Sequence, residues 1–225
     1  LMSGTLLPLY LLMSALLGGV LFQDDFNDGD ADGWHEVSMV SYDVVEGMYR
    51  MYGGYEENHG IAFNGDDDGY MSTPDHSASC RIIPETGVFF GMMCRFSEDT
   101  DYRIMLVMSH LHQQLRLYRW GAFGLDLVDS APFAVQLYEE YWLRYEVQGS
   151  SFRGRAWTGG ASAEPQDWMI DAQDTLSIAG SVALFVAGLP YDRVSLSCRF
   201  DDVAVSDPPL PAEASTWASI KASIQ

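Results

Sequence analysis

A chain of 225 residues with 32 acidic and 12 basic side chains, formal charge −20, can bury one sizeable core. Its lone lysine is Lys221 and its first basic residue is Arg50, so it lacks the clustered positive charge that phosphate backbones require, which excludes nucleic acid as a partner. The acid excess then has two uses: a solvated surface, or oxygen ligands for a hard cation such as calcium.

Residues 1–22, LMSGTLLPLYLLMSALLGGVLF, are apolar and uncharged. The run resembles the hydrophobic part of a secretory signal without the basic flank or an A-x-A cleavage site, and Pro8 and Gly18-Gly19 would interrupt a helix. Two readings stand, a cleaved signal and a retained arm packed against neighbouring copies; both put the protein outside the cytoplasm, secreted or on the cell surface.

The stretch Asp24-Asp25-Phe26-Asn27-Asp28-Gly29-Asp30-Ala31-Asp32-Gly33-Trp34 reads as a short edge strand entering an acidic turn that closes on a tryptophan. Phe200-Asp201-Asp202-Val203-Ala204-Val205 has the same look near the other end, which predicts an opening and a closing strand side by side in one sheet. Asp28-x-Asp30-x-Asp32-Gly33 matches half of an EF-hand loop, but Met39 stands where the bidentate glutamate belongs and strands flank the loop, so it is not an EF-hand. A second acidic loop, Asn64-Gly65-Asp66-Asp67-Asp68-Gly69, reads as a solvated turn.

From Glu36 onward the β-branched and aromatic content predicts strands at Ser41–Val45, Met48–Tyr52, Ser77–Ile83, Val88–Phe96, Tyr102–Met108, Gln114–Trp120, Trp142–Val147, Phe152–Trp157, Ser181–Ala187 and Val194–Phe200. Glycine-bearing breakers separate them, and no long amphipathic helix intervenes, so the expected class is all-β. In Trp142–Val147, Leu143, Tyr145 and Val147 alternate with Arg144 and Glu146, the pattern of one buried and one wetter face. Cys80 and Cys94 flank the turn Pro84-Glu85-Thr86-Gly87 and would face each other across a hairpin, as a disulfide or, equally, as buried thiols. His110 and His112, two apart on an expected strand, have no third partner in sight for a metal. Residues 207–225 read as a proline-rich linker followed by a short docking helix with Trp217, Ile220 and Ile224 on one face.

Five segments in order, DDFNDGDADGW, VVEGMYR, YEEYWLRYEVQGSSFRGRAW, DAQDTLSIAGSVALF and FDDVAV, resemble the concanavalin A-like (laminin-G-like) jelly rolls of secreted bacterial proteins. The resemblance implies two packed antiparallel sheets over residues 23–206, with an apolar segment before them and the short helix after. It also implies a structural calcium near the paired ends, drawn from Asp24, Asp25, Asn27, Asp30 and Asp201; the alternative is an Asp/Gly turn whose side chains cap their own backbone. The glycosidase members' E-x-D-x-x-E strand is absent, and in a strand Glu139 and Glu140 would point to opposite faces, so no enzyme is expected. Trp120, Trp157, Trp168 and Tyr118 would suit a sugar-stacking platform or core packing, while Trp142 is assigned to the core. The functional expectation is a non-catalytic extracellular structural subunit that self-assembles through residues 1–22; the alternative is a secreted carbohydrate-binding module.

Overall fold

The computed structural model describes residues 19–37, 40–53, 59–64, 74–97, 103–121, 124–173, 179–189 and 195–207. These form two antiparallel sheets packed face to face. The first contains β1 (Gly19–Asp24), β3 (Ser41–Val45), β4 (Met48–Gly53), β6 (His76–Thr86), β11 (Tyr141–Gln148), β12 (Ser151–Trp157), β13 (Ile170–Gln173) and β15 (Leu196–Asp207). The second contains β2 (Trp34–Glu36), β5 (His59–Asn64), β7 (Phe89–Phe96), β8 (Arg103–Ser109), β9 (Gln114–Gly121), β10 (Gly124–Pro132) and β14 (Ser181–Ala187).

The eight-stranded sheet runs β13-β12-β11-β6-β15-β4-β3, and the seven-stranded sheet runs β10-β9-β8-β7-β14-β5-β2. The long closing strand β15 lies beside β6 along one edge. On its other edge Leu196–Phe200 pairs with β4, and Val203–Asp207 pairs with β1. The opening and closing strands are therefore neighbours, as the paired aspartate motifs predict.

The change of partner occurs at a bulge. Asp202 takes φ +48°, its N–H donates to Asp201 Oδ1 at 2.6 Å, and the register to β6 slips between Asp201 and Ala204. A non-glycine residue in the left-handed region needs such compensation. Arg81 supplies more of it, donating to Asp201 and lying 3.5 Å from Asp202 Oδ2 and 3.3 Å from Glu140 Oε2.

Alternation fills the space between the sheets. Tyr141, Leu143, Tyr145 and Val147 from β11 share one cluster with Phe90, Met92 and Cys94 from β7, Ile104, Leu106 and Met108 from β8, and Val182, Leu184 and Val186 from β14. At the closed end an aromatic group joins both sheets: Tyr49 of β4 stacks on Phe26 at 5.4 Å and on Trp34 of β2 at 6.0 Å, and Phe22 of β1 meets Trp34 edge-on at 5.3 Å.

The structure corrects several expectations. Gly19–Phe22, assigned to the apolar arm, are part of β1, so the sandwich starts inside that segment; residues 1–18 and 208–225, including the expected helix, lie outside the described residues. The β6–β7 turn carries the chain from one sheet to the other instead of closing a hairpin. Cys80 and Cys94 thus sit on opposite sheets, and these two and Cys198 are buried free thiols. Strands β2, β5, β10 and β13 join those expected. The outer face of β11 is wetter only towards its end: Arg144 is fully buried, while Glu146 is half-buried and Gln148 exposed.

One buried polar pair lies within the core, on adjacent strands β6 and β11. His76 Nε2 lies 2.9 Å from the Tyr145 hydroxyl, both groups sealed from solvent. Burial holds the imidazole neutral, with repulsion from Arg95 added, so its pKa falls from 6.5 to about 4. A native pKa below the unfolded one stabilises the fold fully above the unfolded value, and that stability is lost as pH falls from about 6.5 towards about 4. The shift corresponds to as much as about 3 kcal/mol. We expect urea unfolding to show this loss over that window, and His76→Gln, which cannot titrate, to flatten it; an equally steep loss in the variant would assign the effect to other groups.

Candidate ligand-binding site

The outer face of the seven-stranded sheet is apolar. Antiparallel sheets of this size ordinarily turn a polar face to solvent. Here Ile61 and Phe63 (β5), Met93 (β7), Met105 and Val107 (β8), Tyr118 (β9), and Ala183, Phe185 and Ala187 (β14) form a second buried cluster, with Phe89 and Trp120 packed against it. Gly91 permits the close strand approach at its centre, since a Cβ there would sit 2.1 Å from the Leu106 carbonyl oxygen.

A cavity of about 350 Å³ opens in this face, lined by Phe89, Met105, Val107, Leu125, Phe185 and Ala187 together with His59, Tyr118 and Trp120, whose side chains carry polar atoms. Cations flank the rings. The Arg103 guanidinium lies 5.5 Å from the Trp120 ring centre, and that of Arg116 lies 5.0 Å from the Tyr118 ring centre. Burial and then Arg103 push the His59 pKa down, favouring neutral imidazole, and burial pushes the Tyr118 phenol up, keeping its hydroxyl protonated. The cavity can therefore offer hydrogen-bond donors and aromatic faces without a formal charge of its own.

Of the four aromatic residues singled out by sequence, only Tyr118 and Trp120 meet here. Trp157 lies on the outer face of the eight-stranded sheet, buried, stacked on Trp142 at 6.2 Å and donating its indole N–H to the Gly160 carbonyl at 2.9 Å. Trp142 is buried as expected, but beneath that outer face and not between the sheets. Trp168 is half-buried, with the Arg155 guanidinium 4.0 Å from its ring centre. Beside it Glu164 receives Arg144 at 3.1 Å and pairs with Arg155, and Arg144 also reaches Glu146 at 3.4 Å. These carboxylates are held by arginines in a packed layer.

His110 and His112 fall in the turn between β8 and β9, not on a strand, and bond to the Val135 carbonyl and the Ser109 hydroxyl. Glu139 and Glu140 lie in the loop before β11 and line a more open groove of about 640 Å³ with Gln136, Tyr141, Thr158 and Gly159.

The acidic turn is built as a self-capped loop. Asp24 accepts the Phe26 N–H at 2.8 Å on one carboxylate oxygen and the Trp34 indole N–H at 2.8 Å on the other. Asp25 accepts from Asn27 N–H and Asp30 from Asp32 N–H, while the Asn27 amide oxygen packs against Gly47. Asp201 is committed to Arg81. Among the described residues no three acidic, histidine or cysteine side chains form a group able to hold a metal, and chelation tests the calcium expectation directly. Asp24→Ala should cost about 1–3 kcal/mol by stranding the buried indole N–H and freeing the turn. That loss should be the same with calcium or with chelator; a chelator-dependent melting temperature in the parent protein would restore the metal.

The chain matches no family model, and no curated protein matches it in sequence. Its structure resembles the carbohydrate-binding module CBM66 from Bacillus subtilis, with TM-score 0.61 and 15% identity over 78% of this chain and 96% of that one. It also resembles a non-specific endo-β-1,3(4)-glucanase of family GH16, with TM-score 0.57 and 11% identity over 83% and 90% of the two chains. A GH43 protein, BlXynB from Bacillus licheniformis, matches with TM-score 0.58 and 12% identity over 82% of this chain but 39% of that one. At such identities the likeness speaks for architecture, and with the two antiparallel sheets it makes this chain a jelly-roll sandwich of the concanavalin A-like type.

Proposed function

We propose that this chain is a non-catalytic glycan-binding domain that seats a sugar on the outer face of its seven-stranded sheet. The observation that carries this reading is the open cavity lined by Trp120, Tyr118 and Phe89, with polar-bearing His59, Tyr118 and Trp120 among its otherwise apolar lining residues. Pyranose rings have apolar C–H faces that pack on aromatic rings and hydroxyl edges that need donors and acceptors, and this surface supplies both. The likeness to a carbohydrate-binding module, spanning 96% of that module, supports the same role.

A binding role without hydrolysis agrees with the disposition of acids. Glycosidic cleavage needs two carboxylates converging on one bond. Among the described residues no carboxylate lines the cavity, and in the open groove Glu140 is tied to Arg81. Nothing among the described residues supports assembly through the N-terminal segment, part of which is a strand of the sandwich. Glycan binding suits a secreted or surface-exposed protein, and we carry export as part of this proposal.

Calorimetry against a panel of soluble polysaccharides and oligosaccharides tests it. Binding of at least one glycan is expected, without release of reducing ends. Trp120→Ala should weaken it by about tenfold or more, roughly 1.4 kcal/mol. Leu125→Asp, at an exposed position on the cavity rim, should also weaken binding without loss of fold. Binding unchanged in both variants would place the sugar elsewhere.

A further inference from the structure

The lining of the cavity narrows the ligand further, and this step rests on the glycan-binding reading above. Its floor and walls are the side chains of Phe89, Met105, Val107, Phe185 and Ala187, contributed by three adjacent strands. Met105, Val107, Phe185 and Ala187 are each at most 8% exposed, so the floor is a continuous apolar surface. An unsubstituted pyranose carries hydroxyls around most of its rim. Any hydroxyl pressed against these walls would lose water and find no partner, which costs more than the contact returns.

The mouth has the opposite character. Trp120 pairs in register with Leu125 of the edge strand, and Tyr118 with Leu127. Leu125 and Leu127 are 48% and 47% exposed, giving a rim on which a ring face can rest while its hydroxyls stay in water. A volume of about 350 Å³ lies at the small end of ligand pockets, enough for a compact group below and part of a ring above. The unbranched Met105 side chain lets the floor adjust to such a group.

We propose that this site selects glycans bearing an apolar substituent, an O-acyl or aryl group, with the substituent in the cavity and the sugar ring at the Trp120–Leu125 mouth. The substituent then supplies the affinity and the sugar ring its placement. Underivatised oligosaccharides bind more weakly, through the mouth alone.

The test compares matched ligands on the full chain: acetylated oligosaccharides against the same material after alkaline deacetylation, and 4-nitrophenyl glycosides against the free sugars. A preference of about tenfold or more for the substituted member of at least one pair is expected. The acetyl and nitrophenyl arms show whether the group is acyl or flat and aromatic, and either supports the proposal. Ala187→Leu, which adds bulk to the floor, should erase the preference, the substituted member losing more affinity than the bare sugar. If that variant does not fold, Val107→Thr, which keeps shape and adds a hydroxyl, should halve the preference or more. Equal affinity for both members of each pair would overturn this inference and leave the glycan-binding role standing. Binding of no glycan of either kind would overturn both.

Discussion

The sandwich depends on one strand changing partner without leaving its sheet. β15 must pair with β4 over its first half and β1 over its second, while β6 stays beside it throughout. Two strands end to end along one edge cannot keep a perfect register with a third, so the mismatch is absorbed at Asp201–Asp202. The strain of a left-handed aspartate is offset there by Arg81, which engages both carboxylates. Of the acids that sequence alone offers as metal ligands, Asp201 is thereby spent on an arginine. In a chain carrying 32 acidic side chains and so few cations, the placement of each arginine decides which carboxylates remain free.

A second constraint shapes the outer face of the seven-stranded sheet. Most two-sheet folds have one apolar interior. This one has an apolar layer between the sheets and another on the outside of the seven-stranded sheet. The outer layer is itself buried, its core members 0–8% exposed, and the rest of the surface carries the negative charge that keeps the protein dispersed. The eight-stranded sheet solves its own outer face differently: Arg144, Arg155 and Glu164 form a closed ionic layer over it, with Trp142 and Trp157 stacked beneath the loop. The two exteriors are therefore chemically distinct, one sealed and one open.

Much of the fold was legible in the chain, because alternation and turn residues report local geometry. Ser41–Val45 and Ser181–Ala187 coincide with strands to the residue, and the adjacency of the ends follows from the two aspartate motifs. What could not be read is which sheet a strand joins. Cys80 and Cys94 look like hairpin partners because few residues separate them, yet Pro84–Gly87 turns the chain across the sandwich. β10 escaped notice because Asp126, Asp129 and Pro132 read as breakers, although an edge strand tolerates them. The tryptophans show the same limit: period-2 spacing places Trp142 and Trp157 on one face without saying that a loop covers it. The cavity did leave a trace. FFGMMCRF, RIMLVMS and SVALFVA run apolar with little alternation, which in an antiparallel sheet signals that the outer face also has a use.

The free thiols have a consequence for how this sandwich opens. Cys80, Cys94 and Cys198 lie within the layer between the sheets, and burial pushes the Cys80 and Cys198 thiols well above their ordinary range, so in the closed protein they are protonated and shielded from oxidants. Fraying of the edge strand β1 uncovers none of them, whereas parting of the sheets uncovers all three together. The molecule thus has two kinds of breathing, one chemically silent and one that exposes an odd number of sulfhydryls. An odd number cannot be fully paired within a single chain, so oxidation of the widely opened state would link one molecule to another, while the same oxidant leaves the closed state as it was.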